Sequence, residues 1–161
     1  MDSSSAILLY RCGVIRVLLE NSCCVMPLSV RDELTVRVHE GAEFFTLCFE
    51  KGLIRVEDAG NDFNPGISLH KGERDVISLF AAGSGDYIVI DDGRGAAYCR
   101  SNGIPYINAL LAVKILNICG KTGSDETAAS YNNLKEYGRY SSAVIDWAEM
   151  AGADELKFFL L

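Results

Sequence analysis

The chain has 161 residues, 49% of them hydrophobic, and 22 Asp and Glu against 15 Lys and Arg leave a net charge of −7. That length fits one domain with a substantial core, and that apolar content excludes a disordered chain. The acidic balance argues against a protein that simply coats nucleic acid, which is normally basic, but not against one that cuts it, because bound metal can offset site carboxylates.

Six cysteines (Cys12, Cys23, Cys24, Cys48, Cys99, Cys119) form no Cys-x-x-Cys pair, and most lie in apolar runs. With no secretory signal pattern, they read as reduced core residues of a cytoplasmic protein. The early apolar segment Ala6–Tyr10 is interrupted by Arg11, Gly13 and Arg16, too soon for a membrane span.

In chain order, residues 3–20 carry Ile7, Leu8, Val14, Ile15, Leu18 and Leu19 in a helical pattern weakened at Gly13. Cys23–Met26 reads as a short buried strand closed by Pro27. Ser29 has the character of an N-cap, with Asp32 three residues on, opening a helix that carries Val30, Glu33 and Leu34. The pattern predicts a helix over 42–50, a strand over 53–56 and a loop over 60–66 with Asn61, Asn64 and Pro65. A strong helix follows over 71–82, with Val76, Ile77, Leu79 and Phe80 on its inner side.

Tyr87–Ile90 is then an uncharged, β-branched and aromatic run, as expected of a strand buried on both faces, and it stops on Asp91-Asp92-Gly93. Reacting groups of open α/β sheets gather at the carboxyl ends of strands, so this acidic pair stands where divalent-metal or phosphate chemistry belongs. Helices over 94–101 and 109–118 flank a short strand over 104–107. After a loop at 120–125, paired helices over 128–137 and 141–151 complete the chain. Alternating strands and helices predict an α/β fold: three layers, α/β/α, around a central parallel sheet of four to five strands, with a C-terminal helical pair. The expected organisation is a single domain over 1–161, with an α/β core over 1–119 and a helical extension over 120–161.

Acids stand at strand ends or helix starts in four places: Asp2, Glu33, Glu73 with Asp75 nearby, and Asp91-Asp92. A hard cation such as Mg²⁺ takes oxygen ligands and keeps several waters, so a few converging carboxylates suffice to hold it. Taken singly, Glu33 reads equally as a solvated helix residue, Glu73 as an acid favouring a helix N-terminus, and one of the two aspartates as a turn former. A phosphoacceptor receiver domain needs a second strand-end Asp and a Lys-Pro downstream, and neither follows Asp92. His39 and His70 have no partner at zinc-ligand spacing.

Four segments occur in a telling order: Met1-Asp2-Ser3-Ser4-Ser5, Pro27-Leu28-Ser29-Val30-Arg31-Asp32-Glu33-Leu34, Gly72-Glu73-Arg74-Asp75, and Ile88-Val89-Ile90-Asp91-Asp92. Together they resemble a PIN domain, in particular the small prokaryotic VapC-like toxin nucleases. Gly103-Ile104-Pro105 and Gly138-Arg139-Tyr140-Ser141 extend the likeness over nearly the whole chain. The resemblance implies a ribonuclease dependent on Mg²⁺ or Mn²⁺, with Asp2, Glu33, Glu73 and Asp92 as catalytic acids and Asp91 as a further metal ligand. Asp92 is favoured over Asp91 as the one facing the metal, and Asp75 is expected to be a salt-bridge or surface residue. Ser4 or Ser3 would hydrogen-bond a carboxylate or water, and Arg94 and Arg100 would reach RNA phosphates.

The resemblance also implies a small basic antitoxin as partner, which the net negative charge would steer inward, and a homodimer in the cytoplasm. Two departures from the pattern stand out. Only Met1 precedes Asp2, where PIN chains carry an apolar first strand, and Asn108-Ala109 stands where the subgroup often has Gly-Thr. The rival reading is a catalytically inactive PIN-like binding or regulatory protein.

Overall fold

A computed structural model of the protein describes residues 1–60 and 63–160. Residues 61 and 62 of the expected 60–66 loop, and Leu161 of the expected single domain and extension, lie outside the described residues. The chain alternates short strands with helices, so the α/β expectation holds.

Asp2 caps helix α1 (Ser3–Arg11), its carboxylate accepting the Ser5 N–H at 2.9 Å. Gly13, at φ 85°, then breaks the expected single helix in two, and the chain resumes as α2 (Ile15–Asn21). Strand β1 (Cys24–Pro27) leads directly into α3 (Leu28–Leu34). Here the expected cap is corrected. Pro27, extended and unable to donate, holds the N-cap position, so Ser29 falls inside the first turn. Its hydroxyl is buried without a partner among the described residues, and Asp32 pairs instead with Arg31 at 2.7 Å.

Helix α4 (Ala42–Glu50), strand β2 (Ile54–Glu57) and helix α5 (Lys71–Ala81) follow. Then come β3 (Ile88–Val89), α6 (Gly93–Ser101), β4 (Tyr106–Ile107) and α7 (Ala109–Ile118). Helix α8 (Ser124–Tyr137) begins four residues earlier than the apolar pattern suggests, because Asp125 and Glu126 favour a helix's positive end. Helix α9 (Ser142–Met150) and a 3₁₀ turn (Lys157–Phe159) end the described chain. The C-terminal helices are tied to the rest by polar bonds as well as packing. Ser130 Oγ donates to the Cys12 carbonyl at 2.9 Å, and Lys114 Nζ donates to the last carbonyls of α9, Ala148 at 2.9 Å and Glu149 at 2.7 Å.

The expected continuous sheet of four to five strands is replaced, among the described residues, by two parallel pairs, β1 with β2 and β3 with β4. The residues joining them are Met1 and Asp2. The Met1 nitrogen donates to the Val25 carbonyl of β1 at 3.0 Å, and the Asp2 N–H donates to the Val89 carbonyl of β3 at 3.1 Å. These two residues bond once to each pair and are not themselves a strand, so the pairs stay separate. Helix α5 packs on both β1 and β3, and α7 packs on α1 and α2. The core runs through these contacts, with Leu9, Met26, Phe45, Ile77, Ile90, Leu110 and Leu116 fully buried. All six cysteines are free thiols; Cys12, Cys24, Cys48 and Cys99 are buried and Cys23 is exposed.

Candidate active site

The carboxyl end of β3 delivers Asp91 and Asp92 to the same neighbourhood as Asp2, because Asp2 is hydrogen-bonded to the strand's own Val89. Asp2 is 3% exposed and Glu73 6%. Asp91 and Asp92 are half-buried, while Glu33 lies exposed at the end of α3.

Each acid is held by a local device. Asp92 caps α6, its Oδ1 accepting from Arg94 N at 2.8 Å and Gly95 N at 3.3 Å. Glu73 reaches back from the first turn of α5 to the His70 N–H at 3.2 Å, closing a capping box. Glu33 Oε2 accepts the Ser3 hydroxyl at 2.7 Å, which links α3 to the residue after Asp2. Glu33 also abuts the start of α5, where a Cβ on Gly72 would lie 3.7 Å from its Oε2. Asp91 is engaged on both oxygens: Oδ2 accepts the Ala109 N–H at 3.0 Å, and Oδ1 accepts the Tyr140 hydroxyl.

The electrostatics are those of crowded anions. Burial, reinforced by the negative charge of Asp91, pushes the Asp2 carboxyl up to about 6 despite the hydrogen bond from the Ser5 N–H. Burial and then the charge of Asp92 push Glu73 up to about 7. Asp91 is raised by burial against the opposing hydrogen bonds of Tyr140 and Ala109. The Tyr140 phenol is raised by burial and by Asp91, so it stays a hydroxyl that can only donate to that carboxylate. The acids therefore associate as two like-charged pairs, Asp2 with Asp91 and Glu73 with Asp92, with Glu33 attached through Ser3.

Among the described residues, no ion pair joins these five acids to Lys, Arg or His. Nor do any three acidic, His or Cys side chains stand close enough to hold one ion in this arrangement. The buried Ser5 hydroxyl, beside Asp2 and Asp91, lacks a hydrogen-bond partner among the described residues. Buried carboxylates without a counter-ion, next to a spare hydroxyl, form a donor set of the hard-oxygen kind that suits Mg²⁺ or Mn²⁺.

Ser3, and not Ser4, contacts a site carboxylate; Ser4 is exposed. Arg94 and Arg100 are exposed on α6, beyond the Asp92 cap. Asp75 pairs with Arg74 at 3.3 Å, as expected, but is buried rather than on the surface. His39 and His70 are exposed. Sequence reasoning did not single out Ser5 or Tyr140. Ser5 stands three residues after Asp2, the spacing of a cap, and that was the available signal. Tyr140 is 49 residues from Asp91, and its only signal was its place in the Gly138–Ser141 segment of the family likeness, which does not point to the acid.

The raised acids make stability depend on pH in a definite direction. Each group is protonated to a higher pH when folded than when unfolded, so the unfolded chain loses its proton first as pH rises. The site thus destabilises the metal-free protein progressively between about pH 4 and 7, the interval spanned by the ordinary and raised values of Asp2 and Glu73. Thermal midpoints of the metal-free protein should be lower at pH 8 than at pH 5, and millimolar Mn²⁺ should recover the loss at pH 8. A midpoint that rises with pH and ignores Mn²⁺ would contradict this electrostatic picture.

Fold and site together define an α/β protein with a strand-end carboxylate centre. The sequence model of the PIN domain matches residues 1–144, and the chain belongs to that family. PIN domains are generally nucleases that act on RNA or DNA, as a rule with divalent metal ions. No curated protein and no solved structure matches the chain. No helix among the described residues is long and apolar enough to cross a membrane.

Proposed function

We propose that this protein is an endoribonuclease that hydrolyses RNA phosphodiester bonds with Mg²⁺ or Mn²⁺, and that it serves as the toxin of a toxin–antitoxin pair, similar to VapC. The observation that carries the reading is that Asp2, raised by burial and by the charge of Asp91, and Glu73, raised by burial and by the charge of Asp92, form no ion pair with Lys, Arg or His among the described residues. A site that crowds anions against one another is costly unless a cation joins them.

Drawn together from their two pairs, Asp2, Glu33, Glu73 and Asp92 would hold the ion, with Asp91 as a further ligand or as the anchor of Asp2's surroundings. When bound, a divalent ion lowers the pKa of water and offsets charge on the phosphodiester. Glu73, raised to about 7, is suited to hold or release a proton at its carboxylate near neutral pH. Ser3 orients Glu33, and Ser5 and Tyr140 orient Asp2 and Asp91. Arg94 and Arg100, free of ion pairs among the described residues, would meet RNA phosphates along α6.

Residues 1–161 would act as one domain in the cytoplasm, as a homodimer. A small basic antitoxin would be drawn by the −7 net charge and would cover the acids. The rival reading, an inactive PIN-like binding protein, draws on the separation of the acids into pairs and on the full engagement of Asp91.

Incubation of single-stranded RNA with purified protein and Mn²⁺ or Mg²⁺ separates the two. Cleavage that is lost in both Asp92→Asn and Glu33→Gln supports the nuclease. Absence of metal-dependent cleavage, or activity unchanged in both variants, supports the binding protein.

A further inference from the structure

We propose, on the basis of the nuclease reading, that Tyr98 with Phe63 packed against it forms a stacking subsite for a nucleobase of single-stranded RNA, beside the Glu73 and Asp92 end of the acid centre. Helix α6 sets the position. It starts from the Asp92 cap and turns Gly95 and Cys99 inward. A Cβ on Gly95 would overlap Ile90 Cδ1 and lie 3.6 Å from Glu73 Cγ, so the helix rests directly on the end of β3 and on Glu73. Arg94 and Tyr98, each one residue before those buried positions, are four apart and share the neighbouring face. At 1.5 Å per residue, Tyr98 stands about 9 Å along α6 from Asp92. That separation falls within the few nucleotides that a single-strand site spans.

The second ring comes from the segment that carries the other acid. Phe63 lies between β2 and α5, the helix whose first turn holds Glu73. Its ring meets Tyr98 edge to face, with centroids 6.4 Å apart and planes at 87°. The two segments that supply Glu73 and Asp92 therefore also supply the two rings. In an edge-to-face pair only one ring has a face covered by its partner, and the other keeps both faces clear of it. Phe63 and Tyr98 are both half-buried: the core fixes them, and part of each stays open to solvent.

Charge explains why such a pair is useful here. The chain carries −7 overall and the site itself is acidic, so long-range electrostatics repel a polyanion until a cation binds. Affinity for RNA then needs a term that does not depend on net charge. Base–aromatic stacking is such a term, and it tolerates any sequence because every base has a π-face. Arg94 complements it one helical turn away, exposed and in no ion pair among the described residues. An exposed cation beside a part-open ring matches the phosphate and the base of one nucleotide. The strand must be single, because a paired base is stacked within its own duplex and cannot reach a side-chain ring.

The test measures binding of a single-stranded RNA decamer, in EDTA so that no bond is cut, to the unaltered chain, Tyr98→Leu, Tyr98→Phe and Phe63→Leu. Tyr98→Leu is expected to weaken binding by at least about fivefold, whereas Tyr98→Phe, which keeps the ring, should stay within about twofold. Phe63→Leu leaves α6 unaltered and should weaken binding in the same direction as Tyr98→Leu. An abasic strand of the same length should bind the unaltered chain and Tyr98→Leu alike, since it has no base to stack. Equal affinity of Tyr98→Leu and the unaltered chain for the intact strand would overturn the subsite. So would a loss that is equally large with the abasic strand, because the ring would then only support the fold. Cleavage in Mn²⁺ reports the nuclease reading separately. RNA bound through Tyr98 but never cut would sink that reading and leave the subsite standing; RNA cut, but bound equally by Tyr98→Leu and the unaltered chain, would do the reverse.

Discussion

Asp2→Asn is expected to raise the thermal stability of the metal-free protein at pH 8 and, in the same variant, to lower metal-dependent RNA cleavage by at least about 100-fold. The two effects share one cause. Asn keeps the side-chain oxygen that caps α1 through the Ser5 N–H, so the helix start is retained. What it removes is a charge that burial and Asp91 oppose, seen in the rise of this carboxyl from 3.8 to about 6. At 1.36 kcal/mol per pKa unit, and discounting for coupling to Asp91, the relief is on the order of 2 kcal/mol. For a chain of this size that is roughly 5 °C in midpoint.

The sign is set by linkage. Above pH 6 the folded protein carries the full penalty of the ionised acid; below pH 4 both states are protonated and the penalty vanishes. The advantage of Asp2→Asn should therefore be greatest at pH 7–8 and fade towards pH 4. On the proposed function Asp2 is a direct ligand, and its loss should cost more than the 10–100-fold typical of outer-shell changes around a metal. Melting curves across pH, run beside a cleavage assay with Mn²⁺, test both arms. A variant that melts lower at pH 8 and cleaves as before would make Asp2 a helix cap and nothing more.

How far the sequence reveals such a site depends on the range of the interactions that build it. Helices α4 and α7 have the limits their periodicity and flanking residues indicate, Ala42–Glu50 and Ala109–Ile118, because both signals are local. Strand lengths are set by partners. Tyr87–Ile90 has the composition of a four-residue strand, yet only Ile88–Val89 is paired as β3. Its neighbour β4 ends where Asn108 caps α7, and on the other side only Met1 and Asp2 are present. The cap at Ser29 fails for a related reason: Pro27 ends β1 and starts α3 without a spacer, which leaves no room for a serine cap.

The acids themselves were visible as four strand-end or helix-start positions in order. Their division of labour was not. Asp91 and Asp92 are neighbours with the same side chain, and what separates them is tertiary. Asp92 turns to its own helix and to Glu73, whereas Asp91 turns to Ala109 and to a tyrosine from beyond α8. That difference supports the preference for Asp92 as the acid facing a metal, with Asp91 as its structural neighbour.

The turn that brings Tyr140 to Asp91 yields the second large effect: Gly138→Ala should destabilise the protein by about 2–3 kcal/mol, more than Tyr140→Phe. Gly138 sits at the C-cap of α8 with an ordinary helical φ of −79°, so backbone freedom is not why glycine is needed. Space is. A Cβ there would overlap Tyr140 Cε2 and lie 2.7 Å from the Leu134 carbonyl oxygen, which is backbone and cannot swing aside. The ring must leave, and with it goes the hydroxyl that supports the ionised Asp91.

Tyr140→Phe deletes that hydroxyl but keeps the ring in place, at a cost of about 1–3 kcal/mol for the unsatisfied carboxylate oxygen. Both variants should lose more stability as pH rises and Asp91 ionises, since the charged acid gains most from the hydroxyl. Equal stability of Gly138→Ala and the unaltered chain would mean that Tyr140 does not pack on Gly138 in solution. A loss in Tyr140→Phe that stays constant across the whole pH range in which the fold persists would mean that its hydroxyl does not support the ionised Asp91.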